Sequence, residues 1–334
     1  MKPITIIGGG LAGLTLGIGL RRKDVPVTIW EAADYPRHRV CGEFISGRGL
    51  QTLDRLGFLA TLASSRTASS AAFFSRTKRI FHRTLPQEAI CISRFNLDAM
   101  LAQRFCCDGG ELRVNSRCGE PLRGKEGIVQ ATGRRAEAQT NGFQWYGLKA
   151  HARNVTLDAD LEIHFHADGY VGLCRLADGL VNICGLFRRK PGDKASPSLE
   201  RLTRNDSLLG PRLHGASWDH KSACAVAGLP PYPRFGGGCR VGDALAMPAP
   251  LTGNGMSMAF EAAELAVKPL AEFAQGSLGW DSAMLSIRAT QQKHFEARLK
   301  WSAFLHKLLF SRAGELLAPT MGGLCWKWLF RRTR

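Results

Sequence analysis

The sequence predicts an α/β fold in which a parallel nucleotide-binding layer is interrupted by an antiparallel sheet and followed by a helical segment. Three observations carry this reading. A short apolar strand, Ile4-Thr5-Ile6-Ile7, runs straight into Gly8-Gly9-Gly10-Leu11-Ala12-Gly13, and Glu31 ends a second apolar run. A second glycine cluster, Gly253-Asn254-Gly255, opens a small-residue helix far along the chain. Between the two, residues 143–187 alternate with the two-residue period of strands.

The first of these is G-x-G-x-x-G in the context that gives it meaning: strand, tight turn, helix, strand, acid. Gly8 permits the turn, Gly10 lets a pyrophosphate approach the backbone, and Gly13 lets the helix pack close to the strand. The unpaired N–H groups at the start of the helix suit phosphate oxygens. Glu31 lies near the separation of about 20 residues expected for an acid that holds a ribose 2′-hydroxyl. An acid here argues against a 2′-phosphate, so the dinucleotide is FAD or NAD rather than NADP.

Further along, 37–46 is a polar, glycine-containing loop, and Leu50, Leu53, Leu56 and Leu59 give 49–62 helical spacing. Residues 71–92 are strand-like and basic. A helix follows over 96–105, with Leu97, Met100 and Leu101 on one face, then short strands at 111–114 and 128–131. Strands are expected at 143–151 and 161–165, and a hairpin over 169–176 and 180–187 turns at Asp178-Gly179. A polar loop spans 191–205. Pro248-Ala249-Pro250-Leu251-Thr252 leads into the helix at 256–274, and 291–334 reads as helical, amphipathic and basic. The expected organisation is therefore a discontinuous nucleotide-binding domain (1–70, 90–140 and 236–275). A substrate-binding antiparallel sheet (71–89 and 141–235) and C-terminal amphipathic helices (276–334) complete it.

With 334 residues, 45% hydrophobic and 22% charged, the chain has the composition of a globular protein of one or two domains. Its net charge of +17 fits nucleic acid, an anionic membrane or an acidic ligand. No helix-turn-helix, zinc-finger or RRM pattern accompanies it, so no nucleic-acid partner is expected. None of the ten cysteines forms a C-x-x-C pair, so no zinc site is expected. The apolar stretch 11–20 contains three glycines and ends in Arg21-Arg22-Lys23, unlike a secretory signal. No run approaches the length of about 18 apolar residues needed for a spanning helix. A cytoplasmic protein with reduced thiols follows, and the basic aromatic tail is a surface able to rest on the inner face of a membrane or to cap the substrate sheet.

Several side chains invite chemistry. Gly253-Asn254-Gly255-Met256 brings a helix N-terminus to an anionic or electron-rich group, and Asp243 after Gly242 is placed to accept hydrogen bonds from ligand hydroxyls. Cys41 reads either as a thiol activated by Arg37 and Arg39 or as a small packed side chain. Glu43 is a proton donor or a solvated loop residue. Lys149 and His151 lie on a candidate substrate strand. His164 and His166 share a face, yet no third metal ligand accompanies them, so they read as core or surface residues.

The order Gly8-x-Gly10-x-x-Gly13, Glu31, Arg94-x-x-Leu97-Asp98, Ala131-Thr132-Gly133, Gly242-Asp243 and Pro250-x-x-Gly253-x-Gly255 spans the chain. It resembles the FAD-dependent p-hydroxybenzoate hydroxylase superfamily. Cys41-Gly42-Glu43 and the basic tail resemble its geranylgeranyl reductase-related branch. The resemblance implies a Rossmann-like FAD-binding domain on a parallel sheet. In it Gly8, Gly10 and Gly13 hold the pyrophosphate, Glu31 the adenosine ribose, Arg39 and Arg94 the flavin side, and Asp243 the ribityl chain or pyrophosphate. Gly253, Asn254, Gly255 and Met256 face the pyrimidine end of the isoalloxazine. Residues 130–135 lack the Asp-Gly element that many of these hydroxylases carry for joint use of FAD and NAD(P)H, and the region after Glu111 is short. The implied reaction is hydroxylation of a hydrophobic aromatic or polyketide-like compound, with NADH or NADPH as transient electron donor. The alternatives are saturation of a C=C bond in a lipophilic prenyl chain and flavin binding without turnover.

Overall fold

The computed structural model describes residues 1–119, 125–134, 144–189, 199–203, 208–227, 238–310 and 332. Its strands are β1 (Ile4–Ile7), β2 (Val27–Trp30), β3 (Phe44–Ile45), β4 (Arg66–Phe74), β5 (Arg79–Cys91), β6 (Glu111–Arg113) and β7 (Ile128–Gln130). They continue with β8 (Gln144–Arg153), β9 (Leu161–His166), β10 (Gly169–Arg175), β11 (Val181–Arg189), β12 (Ser217–Ala227) and β13 (Cys239–Arg240). The helices are α1 (Leu11–Arg21), α2 (Arg48–Arg55), α3 (Arg94–Cys107), α4 (Leu209–Leu213), α5 (Gly255–Gln275) and α6 (Trp280–Leu309).

Two sheets result. The first is parallel, in the order β13-β7-β1-β2-β6. Its strands are short, and the central ones, β1, β2 and β7, are rich in β-branched residues, as buried parallel strands are. Helix α1 is apolar all round and buried from Leu11 to Leu20, because the sheet lies on one side and α3 and α5 on the others. The second sheet is mixed but mostly antiparallel, in the order β12-β8-β11-β10-β9-β4-β5-β3. The β10–β11 hairpin turns at Asp178 and Gly179, both with left-handed backbone (φ 57° and 71°). Those are residues that accept that conformation. Short β3 comes from the loop after β2 and pairs with β5, so the N-terminal segment feeds both sheets.

A buried ion cluster joins the layers. Glu43 precedes β3 in left-handed conformation (φ 60°), uncommon for a residue with a side chain. Its carboxylate lies 3.1 Å from Lys149 Nζ and 2.6 Å from His151 Nε2, both on β8, and it accepts the Arg94 amide N–H at 2.9 Å. Glu43 and Lys149 are wholly buried. The reading of Glu43 as a solvated loop residue is corrected here, and Lys149, on its expected strand, is equally withdrawn from solvent. Each charge stays out of water because the other is beside it.

Helix α6 closes the fold. It begins at Trp280, eleven residues before the expected start at Gln291, with Gly279 as its N-cap. It packs along α5, where Glu261 accepts from Arg298 and lies 2.7 Å from His294, so Arg298 is buried rather than part of the basic surface expected for the tail. It ends over the second sheet, where His306 sits against Trp145 (4.9 Å) and Phe310 (4.8 Å). The expected aromatics Trp326, Trp328 and Phe330 lie outside the described residues. No described helix is long and apolar enough to cross a membrane, and the nine described cysteines are free.

Two outcomes are expected. Glu43→Gln leaves the Lys149 ammonium buried without its counter-charge and should cost about 3–5 kcal/mol in urea unfolding. Adding Lys149→Met should recover a large part of that loss; a second mutation that lowers stability further would contradict the pairing. His306 is held neutral, burial lowering its pKa to about 4. The folded value lies below the value of about 6.5 for a free imidazole, so protonation favours the unfolded chain. That contribution is present at neutral pH and is lost as the pH falls from about 6.5 toward 4. His306→Phe should therefore lose less stability than the parent between pH 7.5 and 4.5, as urea midpoints at the two values will report.

Candidate functional site

One cavity of about 1300 Å³ runs from the glycine turn after β1 to the face of the second sheet. At its first end Gly8 takes φ +110°, which only glycine adopts without strain, and its N–H bonds to the Trp30 carbonyl at 2.8 Å. A Cβ on Gly13 would overlap the Gly8 carbonyl oxygen, so the residue seats α1 behind the turn and is not on the cavity wall. Gly10 is the opposite case: a Cβ there would meet nothing within 4 Å, and the residue borders the cavity. The Glu31 carboxylate closes this end. It accepts from the N–H groups of Gly9 (2.8 Å) and Ala33 (3.1 Å) and from Arg37 (2.6 Å). The Tyr35 hydroxyl donates to the Gly9 carbonyl, and burial beside Glu31 and Asp98 raises its pKa.

The second glycine cluster borders the same cavity. Gly242, Asp243, Gly253, Gly255 and Met256 all line it, as Gly8 and Gly10 do. Gly253 is left-handed (φ 61°), and a Cβ there would strike the Phe44 ring. No side chain caps α5 and no acid sits in its first turn, so its leading amides and the positive end of its dipole face this region uncompensated. Asn254, the N-cap, is buried and off the wall. Asp243 is exposed and lines the cavity; the protein around it raises its carboxyl pKa by desolvation, against the pull of Arg94, Arg134 and Arg39.

Arg94 and Arg39 border the middle of the cavity and share Asp98. Arg94 clasps it through two bonds (2.7 and 2.8 Å), and Arg39 reaches it at 3.1 Å. Burial opposes the charge on Arg94, but Asp98 outweighs it and its pKa is raised. Cys41 is also on the wall. Burial raises its pKa, with Arg94 the main opposing influence, so it is a thiol. Its expected activation by Arg37 and Arg39 is corrected, because those guanidinium groups go to Glu31 and Asp98. The Glu43 carboxyl, despite burial, is held below the usual carboxylate range by the His151 hydrogen bond and the Lys149 charge. It borders the cavity as a fixed anion, not as a ready proton donor.

The second sheet supplies the far wall through strand register. Cys224, Lys149, Cys184, Gly172, Ile163, Phe73 and Phe81 are directly opposed from one strand to the next, so they share one face. A parallel row runs Val226, Gly147, Leu186, Tyr170 and Phe165. Every member of both rows except Lys149 lines the cavity. Trp301, Phe304, Leu305 and Leu308 of α6 cover it from above. Glycines at 147 and 172 keep the floor open, and one end is aromatic. The period-two pattern in the sequence holds these rows, but which strands adjoin is set only by the sheet order.

His38, unassigned by the sequence reading, borders the cavity where the loop meets this floor. Its Nδ1 is 3.1 Å from Lys149 Nζ, and its ring stacks on Phe95 at 4.6 Å. His38, His151 and Asp219 bring ligand-capable atoms within 4.8 Å of one another, and Lys149 and Glu43 each engage one nitrogen of the two imidazoles, His38 Nδ1 and His151 Nε2. His164 is buried, stacked on Phe74 at 4.3 Å and bonded to Glu162, and His166 is buried two residues on.

Residues 6–47 match the model of the NAD(P)-binding Rossmann-like domain. Monooxygenase 1 of Arabidopsis thaliana is 36% identical over 101 residues, 28% of this chain and 25% of that protein, so the match spans about a quarter of that curated relative. The flavin-dependent brominase Bmp2 superposes with a TM-score of 0.76 at 16% identity, covering 99% of this chain and 93% of that one. A geranylgeranyl bacteriochlorophyll reductase-like protein of Thermoplasma acidophilum gives 0.73 at 15% identity, covering 99% and 96%. Residues 6–47 are therefore an NAD(P)-binding Rossmann-like domain, and the described residues share the overall fold of these two solved structures.

Proposed function

We propose that the protein is a FAD-dependent oxidoreductase, a monooxygenase that hydroxylates a hydrophobic aromatic or polyketide-like small molecule. The observation that carries this is the single cleft bordered by Gly10 and by Gly255, far apart in sequence, and continuous with an apolar sheet face. The residues fit the cofactor. Side-chain space is left empty at Gly10 and Gly255, where a backbone must be approached closely, and Asp243 borders the same cavity as an acceptor for hydroxyls.

In this reading the amides at the start of α1 hold the pyrophosphate and Glu31 the adenosine ribose. Arg39, Arg94 and Asp243 flank the middle of the ligand. When bound, FAD supplies the redox chemistry, taking electrons from NADH or NADPH. The chain supplies placement: the α5 N-terminus at residues 253–256 favours negative charge near it, and the aromatic floor with its α6 cover keeps water from the substrate.

Saturation of a C=C bond in a prenyl chain is the second reading, supported by a floor whose far end carries only apolar side chains. Lipophilic substrates of either kind fit access from a membrane surface. Phe304 is exposed near Lys300 and Lys307, at the part of α6 that covers the cleft, and peripheral binding to anionic vesicles is part of this proposal. Co-sedimentation with such vesicles, absent with neutral ones, is the expected result.

The purified protein should be yellow, and NADH or NADPH should bleach it without oxygen. Product that forms only with oxygen supports hydroxylation, and product that oxygen suppresses supports double-bond reduction. A colourless protein that takes up no FAD would sink both readings. Gly10→Ala should keep the parent's unfolding free energy within about 1 kcal/mol, because the added Cβ meets no protein atom and only the N-cap preference changes. The same change should weaken FAD affinity at least about tenfold, measured by flavin release through a dialysis membrane.

A further inference from the structure

The polar end of the cleft floor carries a feature that neither the glycine clusters nor the redox chemistry uses. His38 sits between the cleft and the buried pair Lys149–Glu43. An ammonium has donors only, and that of Lys149 lies 3.1 Å from His38 Nδ1 and 3.1 Å from Glu43 Oε1. His38 Nδ1 must therefore accept, and the proton of a neutral imidazole is left on Nε2. Among the described residues no protein group bonds to that nitrogen. The ring is held in place, stacked on Phe95 at 4.6 Å and edge-on to His151 at 5.2 Å. Titratable groups face it from the loop and from both neighbouring strands: Lys149, His151, Glu43 and Asp219. Burial, then Lys149 and His151, lower its pKa against Glu43 and Asp219, which keeps the imidazole neutral.

What lies next to it is uneven in polarity. Across the floor from the Lys149 position come Cys184, the bare Gly172, Ile163 and then Phe73 and Phe81. A ligand lying along this row meets one fixed N–H donor at one end and hydrocarbon at the other. A prenyl chain has no use for such a donor, whereas a ring bearing a ketone, enolate or phenolate oxygen does.

We propose that His38 is a specificity-determining residue, a neutral imidazole locked as the Nε2–H tautomer that donates to a carbonyl or phenolate oxygen on an otherwise apolar ring substrate. The assignment rests on the oxidoreductase reading of this cleft and narrows its substrate class to oxygen-bearing aromatic or polyketide-like molecules. Lys149 is the positioning residue: it touches no ligand and sets the tautomer from behind.

Two measurements on the full chain with its FAD test this. First, ¹⁵N-histidine-labelled protein at pH 7 should give His38, identified by its loss in His38→Gln, the long-range ¹H–¹⁵N pattern of the Nε2–H form. Lys149→Met should convert it to a tautomer mixture or to imidazolium. An imidazolium or an Nδ1–H form in the parent overturns the proposal. Second, 2-acetylnaphthalene and 2-ethylnaphthalene, alike in shape and differing in the oxygen, are compared by equilibrium dialysis. The parent should favour the ketone about tenfold, the worth of one hydrogen bond in a dry site. His38→Phe, which keeps the stack on Phe95, should abolish the preference and leave 2-ethylnaphthalene within twofold. No preference in the parent, or equal losses for both probes, overturns it. The first measurement reads the side chain whether or not flavin is present, so a colourless protein would sink the proposed function and leave the tautomer result to stand or fall by itself.

Discussion

The buried Glu43 carboxylate is the constraint on which the geometry of the cleft depends. It lies in a loop of the first layer, in a backbone conformation that a side-chain-bearing residue seldom takes, and its partners Lys149 and His151 both lie on β8 of the second layer. Neither the carboxylate nor the Lys149 ammonium is stable in the interior alone. Their pairing therefore fixes where the loop crosses the sheet, and with it the positions of Arg39, Cys41 and Phe44 on the cavity wall. The same carboxylate receives the first amide of α3, so the helix that carries Arg94 and Asp98 is tied to this point too.

Charge inside the cleft is balanced locally, and the net charge of the chain says little about it. Arg37 and Arg39 answer to Glu31 and Asp98, Arg94 to Asp98, and Lys149 to Glu43. The excess of lysine and arginine lies elsewhere, including the exposed Arg288, Lys293, Lys300 and Lys307 of α6. Within the cleft the uncompensated polarity comes from the backbone, at the starts of α1 and α5. A backbone donor array needs glycine to be reachable, and glycine is what stands there. The face contributed by the second sheet, by contrast, is mostly hydrocarbon, with Glu162, the Tyr170 hydroxyl and two thiols among the exceptions and His38 beside it.

Much of this was legible because much of it is local. The strand, turn, helix and acid at the N-terminus obey short-range rules, and so does the hairpin at Asp178-Gly179. The resemblance carried by spaced glycines also grouped Gly242 and Gly253 with Gly8 and Gly10, and all four border one cavity. The failures share a cause. Arg37 and Arg39 are near Cys41 in sequence, and nearness suggested an activated thiolate; in space Arg94 is the cation that bears on that sulfur. Glu43 looked like a solvated loop residue because its partners are 106 and 108 positions away. His38 gave no signal at all, since a histidine between two arginines is ordinary.

The sequence by itself determined that a dinucleotide-type glycine turn begins the chain, that an antiparallel sheet follows, and that a second glycine cluster opens a later helix. Those features depend on φ preferences, side-chain period and helix ends, which a few neighbouring residues settle. Only the tertiary structure decided that both clusters border one cavity, that Lys149 and Glu43 are buried together, and that His38 stands between that pair and the apolar floor. These depend on the lateral order of strands and on the electrostatics of an interior, where charges distant along the chain must find each other because water is absent.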